Sequence, residues 1–161
     1  MKSLIESDSP ETPTLEFCPT LEVWTLRDCP REVIVPIAYS IQPDQRLVTY
    51  TVEGQPALSD VEEWLDEVLR DPDFRKGFAF VGDRRAAPAD TSVEYMRGIT
   101  QLLQSRADRL APCRWAIVVR VEADFAIVRI WSLGLQSTGI TMEPFTLEQR
   151  ATQWARGTSR F

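Results

Sequence analysis

The sequence predicts an α/β fold: a mixed sheet of five strands and four helices, in the order β-β-α-β-α-β-α-β-α. Three observations carry this expectation. Two short runs with strand alternation, 33–39 and 47–52, are joined by a proline-containing turn. Three helix–strand repeats follow, and an amphipathic helix closes the pattern. Within those repeats, 114–119 is apolar almost throughout, as expected of a parallel strand covered on both faces. Apolar residues that switch between a period of two and one near 3.6 at these lengths are the signature of βα units.

The first strand, Val33 to Tyr39, contains Pro36, which has no N–H to offer a ladder and belongs at a sheet edge. Pro43-Asp44-Gln45-Arg46 supplies a turn, and Leu47 to Val52 returns as the second arm of a hairpin. Val48, Tyr50 and Val52 share one side of it; Leu47, Thr49 and Thr51 share the other. Ser59 or Asp60 caps a helix whose apolar Val61, Trp64, Leu65, Val68 and Leu69 fall on one stripe. Asp71-Pro72 ends it, since the residue before proline resists helical dihedrals. Phe78 to Val81 reads as a short buried strand, followed by a polar loop from Asp83 to Asp90. A second helix runs from about Thr91 or Ser92 to Ala107, with Val93, Met96, Ile99, Leu103 and Ala107 inward. Trp115 to Val119 is the fourth strand, and a third helix spans about Ala123 to Gly134. Ile140 to Phe145 is the last strand, placed at an edge by Pro144. Thr146 caps a final helix with Leu147, Ala151 and Trp154 toward the sheet. Right-handed crossovers between sequential parallel strands put the helices largely on one face.

A chain of 161 residues, 43% of them hydrophobic, is long enough for one domain with a sizeable core. That domain is assigned to 32–157, with 158–161 as a tail and 1–31 as an N-terminal extension. Pro10, Pro13, Pro19 and Pro30 break regular structure there, and its first dozen residues are expected to be disordered. Leu15, Phe17, Leu21, Val23, Trp24 and Leu26 are too apolar for a solvated tail, so 15–26 is expected to dock on the domain. No apolar run approaches the roughly 20 residues that cross a bilayer, and the acidic start lacks a signal-peptide core, so a cytoplasmic location is expected. A net charge of −6 argues against nucleic acid and against an anionic membrane surface. Membrane insertion is not expected either. Cys18, Cys29 and Cys113 are odd in number and form no CxxC pair, so neither a disulfide framework nor a zinc site is implied. Cys113 opens an apolar strand and reads as a buried thiol.

The chain contains no histidine. A Ser–His–Asp triad, a Cys–His pair and an HExxH zinc site are therefore impossible. The only lysines, Lys2 and Lys76, form no Ser-x-x-Lys arrangement, and the seven glycines form no phosphate-binding loop. No catalytic residue, metal ligand or cofactor is implied. Two groups remain as candidate sites. At the carboxyl ends of the parallel strands, where open α/β sheets bind ligands, stand Asp83, Arg84, Thr91, Ser92, Glu122 and Asp124, beside Arg85 and Arg120. They form either a ligand or partner rim or simply helix caps and solvated loops. The third helix offers only Arg129 and Ser132 as polar residues in its middle. Phe125, Ile127, Ile130 and Trp131 are thus a candidate interface with a protein partner or a second copy, unless flanking loops bury them. Glu62, Glu63, Asp66 and Glu67 read as a solvated helix face, and Trp64, Trp115 and Trp154 as core.

In this order the elements resemble the STAS domain of bacterial anti-sigma-factor antagonists. The chain is more closely similar to the STAS-like bacterial proteins, also described as SpoIIAA-like or STAS/SEC14. The residues behind the resemblance are Asp71-Pro72-Asp73-Phe74, Asp83-Arg84, Arg114-Trp115-Ala116-Ile117-Val118, then Phe125, Arg129 and Trp131, then Phe145, Glu148, Ala151 and Trp154. They cover roughly 33–156. Antagonists carry a phosphorylatable serine in an Asp-Ser-Ser-Gly or similar motif where the second helix begins. Here that stretch reads Asp83-Arg84-Arg85-Ala86-Ala87-Pro88-Ala89-Asp90-Thr91-Ser92, and Thr91 or Ser92 could stand in only by position. The resemblance implies a non-enzymatic regulatory or protein-interaction module. Its SEC14-like side implies, as the alternative, a small-molecule or lipid binder. A large apolar cavity would favour the ligand; a flat polar rim beside an apolar helix would favour the partner.

Overall fold

The structure, a computed structural model, describes residues 37–87 and 92–157. The N-terminal extension with its 15–26 segment, Pro36, Thr91 and the tail lie outside the described residues. Five strands, β1 (Ile37–Gln42), β2 (Leu47–Glu53), β3 (Ala79–Ala86), β4 (Cys113–Val118) and β5 (Ile140–Phe145), form one sheet in the order 1-2-3-4-5. β1 pairs antiparallel with β2, and every other pair is parallel. The first and last strands are therefore the edges; β5 holds Pro144, as predicted for an edge, whereas β1 begins at Ile37 and runs on to Gln42, beyond the Tyr39 expected as its end. α1 (Leu58–Arg70), α2 (Val93–Ser105), the one-turn α3 (Ala107–Leu110), α4 (Phe125–Gly134) and α5 (Glu148–Ala155) complete the order.

Alternation along the strands divides the core in two. Val48, Tyr50, Phe80, Trp115, Ile117 and Met142 face α1, α2 and α4 and form the main core with them. Leu47, Ala79, Val81, Ala116 and Val118 face the other way, where among the described residues Ala151 and Ala155 of α5 cover them. Because β2 to β5 run in sequential order, right-handed crossovers leave the connecting helices α1, α2 and α4 on one face. Register aligns Val48, Phe80, Trp115 and Met142 in one row across the sheet. Within that row Phe80 stacks on Trp115 with centroids 4.1 Å apart and planes 12° apart. Burial of each such side chain contributes roughly 1.5–3 kcal/mol.

Several boundaries differ from expectation. α1 starts at Leu58 after Ala57, and Asp60 accepts a hydrogen bond from the Ala57 N–H (2.9 Å) inside the first turn instead of preceding it. β3 continues through Arg85 to Ala86, because its ladder with β2 still pairs Thr51 with Asp83. Ser92 caps α2 by accepting from the Tyr95 N–H, but Val93 is 58% exposed and Tyr95 is buried in its place. The final helix begins at Glu148 without a side-chain cap, so Thr146 does not serve as one, and Leu147 faces outward.

Candidate functional site

The main core does not close completely between the sheet and α1, α2 and α4. A cavity of about 50 Å³ remains there, toward the carboxyl ends of the parallel strands. Its walls are mostly aliphatic, but six side chains around it carry polar tips: Tyr50, Trp64, Arg84, Tyr95, Trp115 and Trp131. Each arrives by a local rule. Strand alternation turns Tyr50 and Trp115 to this face, helical spacing turns Trp64, Tyr95 and Trp131 inward, and Arg84 follows because β3 extends past Asp83.

Tyr50 lies against the backbone of β3. A Cβ on Gly82 would stand 2.2 Å from Tyr50 Cζ, so only glycine admits the ring there. Trp115 Nε1 donates to Tyr50 Oη at 2.7 Å, and the Trp64 ring packs 4.6 Å from that of Tyr50. Burial pushes the Tyr50 hydroxyl up to about 12, against the opposing pull of the Trp115 hydrogen bond and the Arg84 charge. Arg84 places its guanidinium carbon 5.0 Å from the centroid of the Trp131 ring, a cation–π geometry.

The other tips are not satisfied. Trp64 Nε1, Tyr95 Oη and Trp131 Nε1 are buried and have no hydrogen-bonding partner among the described protein groups. Each such group costs roughly 1–3 kcal/mol when left unmade, and native structures contain few of them. Here all three belong to residues that line one cavity. Burial raises the Tyr95 hydroxyl, while Arg84 acts in the opposite direction through its charge and as a donor close to that hydroxyl, outside normal hydrogen-bond geometry. Arg84 is half-buried, and among the described residues no carboxylate stands within 4.0 Å of it.

The predicted rim divides between the two faces of the sheet. Asp83 turns to the α5 side, where Arg85 binds both its oxygens and reaches Glu148 at 3.5 Å. The Arg85 hydrogen bond holds the Asp83 carboxyl below its ordinary range. Beside them lies an open hollow of about 400 Å³ over β1 and β2, bordered by Ser40, Thr49 and Thr51. Ser92 is occupied as a helix cap, and Thr91 is not among the described residues. Glu122 and Asp124 form a short turn before α4, away from the cavity. Of the predicted interface, Trp131 must be corrected. It is only 2% exposed, because its position faces the sheet and not the outside of α4. Phe125 and Ile127 are half-buried against the same core, and Ile130 alone is exposed, with Leu133 one turn on. Sequence reasoning placed Trp64 in the core and missed Tyr95 altogether. Inward helical spacing is the signal for both, but it does not reveal that their polar tips lack partners.

The sheet order, the antiparallel edge and the helix sequence define an α/β domain of SpoIIAA-like fold. The chain is similar to the crystal structure of an uncharacterized protein of the DUF3478 family, with a SpoIIAA-like fold, from Shewanella loihica PV-4. The TM-score is 0.53 at 15% identity, over 74% of this chain and 93% of that one. Such a likeness shows the fold, and fold alone does not carry function. No family model matches the chain, and no curated protein does. Among the described residues no helix is long and apolar enough to cross a membrane, and no three acidic, cysteine or histidine side chains group to hold a metal.

Proposed function

We propose that this protein is a non-enzymatic binding module whose ligand is a small molecule held between the sheet and α1, α2 and α4. The observation that carries this reading is that three of the residues lining one cavity, Trp64, Tyr95 and Trp131, hold buried polar atoms without partners. Size selects within it. About 50 Å³ exceeds the roughly 10–15 Å³ that one water occupies, but is far below the roughly 300–1,000 Å³ of pockets for drug-sized ligands. The large apolar cavity that would mark a lipid binder is not found among the described residues: a polar group of a few atoms fits, and a lipid chain does not. The titratable groups favour binding over catalysis. Asp83 is held ionised by Arg85, and burial pushes the Cys113 thiol up to about 12, so neither is poised for proton transfer or attack near neutral pH.

A thermal-shift screen of the full chain against a chemically diverse set of small molecules tests the reading. A ligand at one hundred times its Kd stabilises by about 2.7 kcal/mol, enough to be seen as a raised Tm. The expected hit loses its effect in Tyr95→Phe or Trp131→Phe. A screen in which no stabiliser depends on Trp64, Tyr95 or Trp131 contradicts it.

The second reading, a protein-interaction module, rests on Ile130 and Leu133, which are 48% and 65% exposed one turn apart on α4. If that face meets a second copy, light scattering at high concentration finds a dimer that Ile130→Glu dissociates. A monomer there removes the homodimer form of this reading.

A further inference from the structure

We infer that the ligand is a small organic carboxylate, with Arg84 as the residue that selects its charge. This rests on the ligand-binding reading above and narrows it to a chemical class. The unpartnered groups are one-sided in what they offer. An indole N–H only donates, so Trp64 and Trp131 each present a donor and nothing else. A guanidinium also only donates, and the Tyr95 hydroxyl can do so. What enters must therefore bring acceptors. A ligand rich in donors would leave the indoles unmet, and a cation would be repelled by Arg84.

Charge and shape narrow the class further. The whole chain carries a net −6, yet Arg84 stands half-buried beside the cavity without a carboxylate within 4.0 Å among the described residues. Its neighbour Arg85 is fully engaged by Asp83. The planar fork of an arginine matches the two oxygens of a carboxylate. One arginine balances a single negative charge, which suits a carboxylate better than a doubly charged phosphate. Trp64, Trp131 and Ile99 then supply apolar walls for the short hydrocarbon part. A cluster of waters would satisfy the same donors but would not distinguish an anion from a neutral molecule of equal shape.

The test uses the full chain labelled with nitrogen-15 and follows the indole N–H signals of its five tryptophans. Trp64→Phe and Trp131→Phe assign the two of interest. Acetate and propionate are titrated beside acetamide and propionamide at constant ionic strength. Expected are saturable shifts of the Trp64 and Trp131 signals with the carboxylates, at least tenfold weaker with the amides. Arg84→Gln should weaken carboxylate binding at least tenfold, and Arg84→Lys should retain the preference for carboxylate over amide. Equal binding of amides and carboxylates, unaffected by Arg84→Gln, would overturn the carboxylate and leave the ligand reading standing. If no titrant moves either indole while the screen finds a cavity-dependent stabiliser of another class, the carboxylate alone fails. If neither experiment finds a ligand, both fail.

Discussion

Single atoms decide whether the aromatic core holds its shape. Gly82 is one such point, since a methyl group there would meet Tyr50 Cζ at 2.2 Å. Gly82→Ala must displace the Tyr50 ring and break its bond with Trp115. A loss of about 1–3 kcal/mol in urea denaturation is expected, as for other overpacked cores. Tyr50→Phe leaves the buried Trp115 N–H without its acceptor and should cost a similar amount, about 1–3 kcal/mol, by the same measurement. The two largest upward shifts, at Cys113 and Tyr50, weaken the fold at alkaline pH beside those of Tyr39 and Tyr95. Folding raises Cys113 from 9.0 to about 12 and Tyr50 from 10.0 to about 12. A raised folded-state pKa adds stability that is complete below the unfolded value and is lost as pH climbs through the folded one. Stability should therefore fall from about pH 9 toward pH 12, by up to roughly 1.4 kcal/mol per pH unit for each group. Cys113→Ala should delay the onset to about pH 10, where Tyr50 begins to titrate in the unfolded chain. Urea midpoints at pH 8 and 9.5 decide this, and the same drop in both proteins would contradict the role given to Cys113.

At the level of elements, α4 shows how far a pattern can be read. Its nearly continuous apolar run suggested an interface, yet the helix is divided between Val128 and Trp131, which are buried, and Ile130 and Leu133, which are not. Trp131→Ala should cost about 3–5 kcal/mol, as for other large core aromatics. Leu133→Glu should change the stability of the isolated chain by less than about 0.5 kcal/mol. Chemical denaturation of both variants checks the division. Ser92→Ala removes the hydroxyl that caps α2 and should cost about 0.5–2 kcal/mol. Much of this was legible in the sequence. The stripe from Val61 to Leu69, the alternation of 47–52 and the proline in the last strand each marked its element. The end of β3 was not, because Asp83-Arg84-Arg85 is as polar as a loop, and only pairing with β2 makes it a strand. That misreading hid the fact that Asp83 and Arg84 serve opposite faces of the sheet.

At the scale of the whole domain, the fold sets a thick layer of helices on one face of the sheet and, among the described residues, the single helix α5 on the other. The thick side carries five large polar-tipped aromatics around one small cavity, and their hydrogen bonds do not balance among themselves. Nothing in the residue pattern shows such an imbalance, since periodicity places side chains on a face without matching donors to acceptors. SpoIIAA-like architecture accounts for the layers and leaves the contents of the cavity to these particular residues. The most direct measurement is a crystal structure of the full chain, grown with the compound that stabilises it most and at a resolution that places waters. A non-protein group within hydrogen-bonding distance of at least two of Trp64 Nε1, Tyr95 Oη and Trp131 Nε1 is the predicted result. Side chains repacked to satisfy one another, or isolated waters alone between them, would contradict it.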